Sequence, residues 1–226
     1  MTTPDPPTPP QAWDDRVATT ATGRLEAFSD GVLAVSATLL VLDIKTPEAG
    51  DGGSIWPFLG HQLPTLAAYV TSFLTILIFW VNHHALFRSV MRVDRLSLFI
   101  NGLMLLAVSF ISYATSVLGH ALQSGQHDNQ AAVLYALTLA VASTCFTFLW
   151  SHLGTHPELL RPGARAGATR ALRRSRVGPV LYLVASAVAL LSAPASLSVD
   201  AVIAIYFAVL PHRRRHAAGH PSEKVG

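Results

Sequence analysis

Residues 24–44 read RLEAFSDGVLAVSATLLVLDI, and this stretch decides the fold class of the chain. Its charged side chains Arg24, Glu26 and Asp30 all lie near its start, and residues 31–42 carry no charge. A helix of about 20 predominantly apolar residues is long enough to cross the hydrocarbon core of a bilayer. We therefore interpret residues 24–44 as a membrane-spanning helix with a polar N-terminal end.

The composition of the whole chain agrees with a membrane protein. Of its 226 residues, 51% are hydrophobic and only 13% are charged, and its mean hydropathy is +0.42. Soluble domains carry about 25% charged residues because water must wet their surface. A single cysteine and the lack of a glycine repeat exclude a disulfide scaffold and a collagen-like chain. We predict an all-α integral membrane protein.

Five further apolar stretches follow the first one, which gives six predicted spans. They cover about Leu63–Phe87, Leu96–Leu118, Ala131–Leu153, Val177–Leu191 and Leu197–Leu210. The last two are short and are separated by a predicted turn at Ser192–Pro194, where the proline favours a break. One long re-entrant segment in place of these two spans is the alternative.

The basic residues predict which ends of the spans face the cytoplasm. Cytoplasmic loops collect Lys and Arg, and translocated loops avoid them. Fifteen of the sixteen Lys and Arg residues fall on alternate loops, and Lys45 alone falls on the others. This alternation requires an even number of spans with both termini inside. The predicted organisation is a Pro- and Thr-rich disordered cytoplasmic tail at 1–23, a six-helix domain at 24–211 and a basic cytoplasmic tail at 212–226.

Two groups of charged residues outside the predicted spans each have two interpretations. The arginine-rich loop at 161–176 has the composition of a nucleic-acid patch, but beside a membrane helix it favours lipid headgroups as the partner and no nucleic acid. The outward loops carry five acids that either concentrate cations or form an ordinary wet surface: Asp43, Glu48, Asp51, Asp128 and Asp200.

Placing a polar side chain in the membrane costs free energy, so the polar residues within the predicted spans indicate where structural or functional contacts form. Ser29 and Asp30 lie in the first two turns of the first span, the second span ends in FWVNHH at 79–84, and Asn101 opens the third. With alternating topology these groups meet at one cytoplasmic depth. We predict a hydrogen-bonded network that ties the first three helices together. The residues assigned to this network are Arg24, Phe28, Ser29, Asp30, Trp80, His83, His84 and Asn101.

The motif RLEAFSD at 24–30 resembles the R-x-x-x-F-S-D signature of the transmembrane protein 175 family of potassium channels, and WVNHH at 80–84 looks like the end of that family's second helix. The resemblance covers all six spans in layout and the first two by motif. The third helix departs from the pattern, because Ser112 stands where a proline is expected. F-S-D occurs once here, so the resemblance implies a bacterial-type subunit that assembles as a homotetramer around a pore lined by the first helix.

The helical phase of the first span fits such a pore. At about 100° per residue, Val35, Leu39 and Leu42 lie within roughly 60° of one another, and Thr38 borders them. Ser29 and Asp30 point well away from this face. Four copies would stack the aliphatic residues in rings, at the positions where the resemblance places the family's hydrophobic constriction and gate. The chain contains no TVGYG filter sequence.

The resemblance therefore implies a passive channel in a bacterial plasma membrane, permeable to potassium and other monovalent cations, whose partners are further copies of itself and membrane lipids. We expect no enzyme, no cofactor and no resident metal, because the chain lacks nucleophile, phosphate-binding and metalloprotease motifs. The adjacent His83 and His84 lie about 100° apart on a helix and are poorly placed to chelate one ion. The alternative function is a proton-coupled secondary transporter with Asp30 and His83 as a relay, although inverted repeats and broken helices are not visible.

Overall fold

The computed structural model describes residues 11–47 and 55–209, and these residues form eight α-helices joined by short connections. The helices are α1 (Gln11–Leu39), α2 (Ile55–His61), α3 (Leu63–Phe87), α4 (Arg95–Ser124), α5 (Asp128–Thr155), α6 (Arg165–Ser175), α7 (Val177–Ala189) and α8 (Ala193–Val209). Short 3₁₀ helices cover Leu40–Asp43 and Pro157–Leu159. Among these residues the only extended pairing is one antiparallel bridge between Val90 and Leu160. The all-α prediction is confirmed for this part of the chain.

Four segments are long and apolar enough to cross a membrane: Thr22–Asp43, Leu63–Phe87, Arg95–Ser124 and Asp128–Thr155. The second predicted span has the same bounds as α3, whereas α4 and α5 extend beyond the predicted spans at both ends. The ends of α4 explain its length. The Asp94 side chain accepts a hydrogen bond from the Ser97 N–H at the first turn, and Gly125 ends the helix with a φ of 64°.

The N-terminal boundary of the first helix differs from the prediction. α1 begins at Gln11, so residues 11–23, which we predicted to belong to a disordered tail, continue the helix. Between Pro10 and Pro47 the sequence contains no proline, the residue that most strongly interrupts a helix. Residues 1–10 and the predicted basic tail at 212–226 lie outside the described residues.

The last two predicted spans form a helical hairpin. α7 has 13 residues and α8 has 17, so both are shorter than the about 20 residues that a straight span needs. The turn lies at 190–192 rather than 192–194, and α8 begins at Ala193 rather than Leu197. Pro194 is tolerated in the first turn of α8, where a missing N–H breaks no helical hydrogen bond. Six spans therefore remain a prediction.

The helices are arranged so that α5 is central and α1 is peripheral. α5 packs against α4, α6, α7 and α8, whereas α1 packs against α3 and α4. In an 18-residue window of α5, 56% of the residues are buried, compared with 22% in such a window of Thr22–Asp43, which includes residues 22–39 of α1. Few residues in this window of the first segment are therefore buried.

Two features of the C-terminal half differ from the sequence analysis. The arginine-rich segment that we interpreted as a loop contains the helix α6. Asp200, which we assigned to an outward loop, is 0% exposed and lies within α8. The early start of α8 explains this error, because it places residue 200 two turns inside the helix instead of at its beginning.

Candidate functional site

The deepest part of the site is a chain of hydrogen bonds that crosses α1, α3 and α4. Nε2 of His83 lies 2.9 Å from Oδ1 of Asn101, and the Asn101 amide donates to the Ser29 hydroxyl at 3.0 Å. The Ser29 hydroxyl donates in turn to the Leu25 carbonyl at 2.9 Å. His83, Asn101 and Ser29 are all buried, so these bonds form in an interior of low dielectric, where they are strong.

This order of donors and acceptors assigns the tautomer of His83. Because the Asn101 amide nitrogen donates to Ser29, its carbonyl oxygen faces His83 and accepts from Nε2–H. The other ring nitrogen, Nδ1, is buried without a hydrogen-bond partner, and the ring packs against Phe87 with the centroids 4.6 Å apart. The chain of bonds therefore runs in one direction, from α3 through α4 to α1.

A second pair of contacts joins α1 and α3 nearer the surface of the subunit. The Trp80 indole N–H donates to Asp30 Oδ1 at 3.0 Å, and His84 Nδ1 lies 3.0 Å from Glu26 Oε1. Glu26 and Asp30 are four residues apart on α1, as Trp80 and His84 are on α3, so two matching helix faces meet. His84 thus contacts α1, while His83 contacts α4.

We call these contacts between α1, α3 and α4 the polar layer. It brings together Ser29, Asp30, Trp80, His83, His84 and Asn101 from the predicted network, and Glu26 joins them. Arg24 and Phe28 do not take part, because both are exposed and neither side chain hydrogen-bonds within the described part of the chain. The Asn82 amide donates to the Ile78 carbonyl of its own helix. Within the described residues no group of three His, Cys, Asp or Glu side chains could hold a metal ion.

The sequence analysis missed a series of contacts that continues along the same side of α1. Ser29, Ser36 and Asp43 are seven residues apart and form a polar seam toward α4. The Ser112 hydroxyl donates to the Ser36 carbonyl at 2.9 Å, and the Ser116 hydroxyl donates to Asp43 at 2.9 Å. The signal that could have found this seam is the seven-residue spacing of small polar residues, which is typical of close helix packing in membranes.

The predicted constriction residues lie on another side of α1. Val35, Leu39 and Leu42, which we call the aliphatic stripe, are 56%, 46% and 75% exposed. The α-helix ends at Leu39, so Leu42 lies in the 3₁₀ turn and not in the continuous α-helix that we expected. Side chains at i and i+3 eclipse in a 3₁₀ turn, so Leu42 stays in line with Leu39. Thr38 is also exposed, and its hydroxyl donates to the Val35 carbonyl at 2.9 Å.

An ion pair outside the polar layer fixes the start of α4 to the end of α5. Asp94 Oδ2 lies 2.9 Å from His152 Nε2, while Asp94 Oδ1 accepts from the Ser97 N–H at 2.8 Å. Partial burial acts to raise the pKa of Asp94, but the hydrogen bonds from Ser97 and His152 outweigh it and lower that pKa to about 2. Asp94 is therefore ionised at neutral pH.

Residues 24–111 match the family model described as endosomal/lysosomal potassium channel TMEM175. The potassium channel B446_29190 of Streptomyces collinus is 42% identical over 186 residues, which cover 82% of this chain and 90% of that protein. The potassium channel Cha6605_3372 of Chamaesiphon minutus is 41% identical over 191 residues, which cover 83% of this chain and 94% of that protein.

The fold is similar to a solved channel structure as well. The crystal structure of a lysosomal potassium-selective channel TMEM175 homologue from Chamaesiphon minutus matches with a TM-score of 0.75 and 38% identity, and the match covers 84% of this chain and 97% of that one. The residues matched by the family model include the whole polar layer and the aliphatic stripe.

Proposed function

The chain belongs to the TMEM175 family, and from this premise we propose that it forms a passive, potassium-permeable cation channel in a bacterial plasma membrane. The membership confirms the resemblance seen in the F-S-D motif at 28–30. Relatives described as potassium channels are similar over 90% or more of their own length, so the likeness extends well beyond the motif. The four long apolar helices make this a membrane protein.

The proposed pore lies along α1 in a homotetramer. The observation that carries this proposal is the division of α1 into two sides. The polar seam bonds to α4, while the residues of the aliphatic stripe are 46–75% exposed. Lipid would also cover an apolar stripe, so a test of this proposal must distinguish a stripe that lines a pore from one that faces lipid.

The proposed gate follows from the chemistry of the stripe. Four copies of α1 around a central axis would stack Val35, Leu39 and Leu42 in three apolar rings. Such rings exclude water when they are narrow, and the pore conducts when they widen enough to stay wet. Thr38 borders these rings, and because its hydrogen is donated to its own helix, its oxygen is free to accept from water or to approach a cation.

The polar layer would set the rotation of α1 in this mechanism. Ser29 and Asp30 bond to α4 and α3, and these two contacts fix which side of α1 faces away from the subunit. We therefore assign the layer a positioning role and not direct ion contact. Asp30 and His83, the residues of the alternative proton relay, bond to Trp80 and Asn101 and not to each other, which favours the channel over the coupled transporter.

The test is a bi-ionic reversal-potential measurement on protein reconstituted in liposomes or planar bilayers. Leu39→Ala should raise the conductance and reduce the preference for potassium over sodium, because it widens a ring. The control is Leu106→Ala, which removes an equally large side chain from α4, where it is 68% exposed compared with 46% for Leu39, and it should change neither quantity. Equal currents and reversal potentials in the wild type and Leu39→Ala would refute the pore assignment. Flux that saturates and requires a proton gradient would instead support the transporter.

A further inference from the structure

The helix α6 carries a concentrated positive charge that the proposed channel mechanism does not use. Its exposed side chains include three arginines, and one further exposed arginine lies on each side of the helix. The five residues, which we call the arginine face, are Arg161, Arg165, Arg170, Arg173 and Arg176.

The opposite side of α6 is fixed firmly to the bundle. Ala168 is fully buried, and Leu172 packs against the hydrophobic core. The Arg174 guanidinium donates to the Phe207 carbonyl at 3.2 Å and lies 5.7 Å from the centre of the Phe207 ring. The Thr147 hydroxyl donates to the Ser175 carbonyl at 2.9 Å. Anchors on α5 and α8 therefore hold the arginine face in a defined orientation.

Within the described part of the chain, no arginine of this face forms an ion pair with an acidic side chain. The two histidine–carboxylate contacts found there join His84 to Glu26 and His152 to Asp94, and neither involves α6. Exposed arginines without acidic partners attract an anionic ligand, and several at once favour a surface that offers several negative charges.

The position of α6 indicates which anionic surface it meets. α6 packs against α5 and α7. The Thr147 hydroxyl of α5 contacts Ser175 of α6, and Gly154 of α5 lies beside Leu172 of α6. α6 therefore lies beside the last turns of a helix that is long and apolar enough to cross a membrane. The arginine face thus lies near the end of this segment. Phosphate headgroups lie at that depth.

We propose that the arginine face of α6 binds anionic phospholipid headgroups in the cytoplasmic leaflet. Ala168 and Leu172 keep the helix on the bundle, and the arginines project into the headgroup region, where guanidinium groups donate paired hydrogen bonds to phosphate oxygens.

The test titrates purified full-length protein with phosphatidylglycerol or phosphatidylcholine and counts bound lipid by native mass spectrometry. The wild type should retain phosphatidylglycerol in preference to phosphatidylcholine. The variant Arg165→Gln/Arg170→Gln/Arg173→Gln should lose about tenfold or more of that preference, because each basic residue near a membrane surface contributes. The matched control is Arg213→Gln/Arg214→Gln/Arg215→Gln, which removes the same charge from the C-terminal tail and should keep the preference.

Three results would overturn the proposal. The first is an unchanged preference in the α6 variant, and the second is an equal loss in both variants, which would mean that net charge alone attracts the lipid. The third comes from thermal unfolding. If inorganic phosphate or RNA raised the unfolding temperature as much as phosphatidylglycerol does, the face would not be specific for lipid headgroups. Added salt should weaken the preference of the wild type, which tests the electrostatic origin without any variant. Potassium flux is measured in liposomes prepared from the same purified proteins. A failure of the proposed channel function and a failure of lipid binding can therefore be distinguished.

Discussion

Asp30 and Asp200 are both aspartates placed among apolar helices, yet their surroundings are opposite. Asp30 is half-buried on α1 and accepts a hydrogen bond from the Trp80 indole. Asp200 is completely buried in α8, and within residues 11–47 and 55–209 neither of its carboxyl oxygens has a hydrogen-bond partner. Tyr135 and Tyr182 lie within electrostatic range of Asp200 but do not bond to it.

This difference separates the two halves of the subunit. The half that contains α1 is specified by directional bonds, since the polar layer and the polar seam join α1 to α3 and α4 at several heights. The half that contains α7 and α8 packs around α5, with small side chains such as Ala185 and Ala189 completely buried. Its cross-helix hydrogen bonds have a backbone group as one partner, as in the bond from the Ser196 hydroxyl to the Ala185 carbonyl at 3.0 Å. Bonds between side chains fix the rotation of a helix, whereas burial of the Asp200 carboxyl without such a bond costs free energy.

The largest expected effect comes from a substitution that breaks the polar layer at its centre. Asn101→Ala should lower the free energy of unfolding by about 3 kcal/mol, because it leaves His83 and Ser29 buried with unpaired groups. Thermal unfolding of the detergent-solubilised protein measures the change. Asn82→Ala is the control, since the Asn82 amide bonds only to its own helix, and it should cost far less. Equal losses in the two variants would contradict the special role of the layer.

The next effect concerns Asp30 itself. Asp30→Ala removes the acceptor for the Trp80 indole and should cost about 1.5 kcal/mol, because a hydrogen bond to a charged group is lost. Since the bond positions α1, we expect fewer assembled tetramers in size-exclusion and cross-linking experiments and little change in ion selectivity. A tetramer of normal abundance with altered permeation would show that Asp30 acts on the ion directly.

A third acid, Asp94, tests whether a well-partnered carboxylate outside the membrane behaves like Asp30. Asp94→Ala should cost about 1 kcal/mol, because it removes the N-cap of α4. The pKa of Asp94 is about 2 in the folded protein, below its ordinary 3.8. A folded pKa below the unfolded one stabilises the protein above pH of about 4, and this contribution is lost as the pH falls toward 2. In melting curves, the stability difference between the wild type and the variant should therefore be smaller at pH 3 than at pH 6 and should fall further as the pH approaches 2.

The smallest expected effect is at Asp200. Asp200→Asn should change the free energy of unfolding by less than about 1 kcal/mol, because no hydrogen bond is lost in the replacement. Thermal unfolding measured beside Asp30→Ala makes the comparison direct. A loss at Asp200 larger than the loss at Asp30 would reveal a partner for the buried acid and would remove the distinction between the two halves.

The sequence predicted the parts of the fold that follow from hydrophobic length and from unusual polar residues. The bounds of α3 follow from one uninterrupted apolar run, and Ser29, His83 and Asn101 stand out as polar residues at one depth. The sequence did not indicate the hydrogen-bond partner of each group. The helix that the His83 or His84 side chain faces depends on the rotation of α3, which only the structure shows. Phe28 belongs to the recognised motif, but its side chain is exposed and the motif did not indicate that.

Other features were missed for identifiable physical reasons. Serines are common in apolar helices, so Ser36 alone did not indicate a contact. Its role becomes clear only when its spacing from Ser29 and Asp43 is considered together with the packing against α4. Asp200 was misplaced because an acid near a proline turn has the pattern of a loop. Arginine-rich segments are typical of loops, so α6 was overlooked even though alanines separate its arginines.

The seven-residue spacing of Ser29, Ser36 and Asp43 has a mechanical consequence for the proposed channel. Turning α1 about its own axis would break the contacts of all three residues with α4 at once, whereas tilting α1 and α4 together would break none. The seam thus couples the rotation of α1 to α4. In the proposed channel, a movement of α1 that keeps these bonds would carry α4 with it.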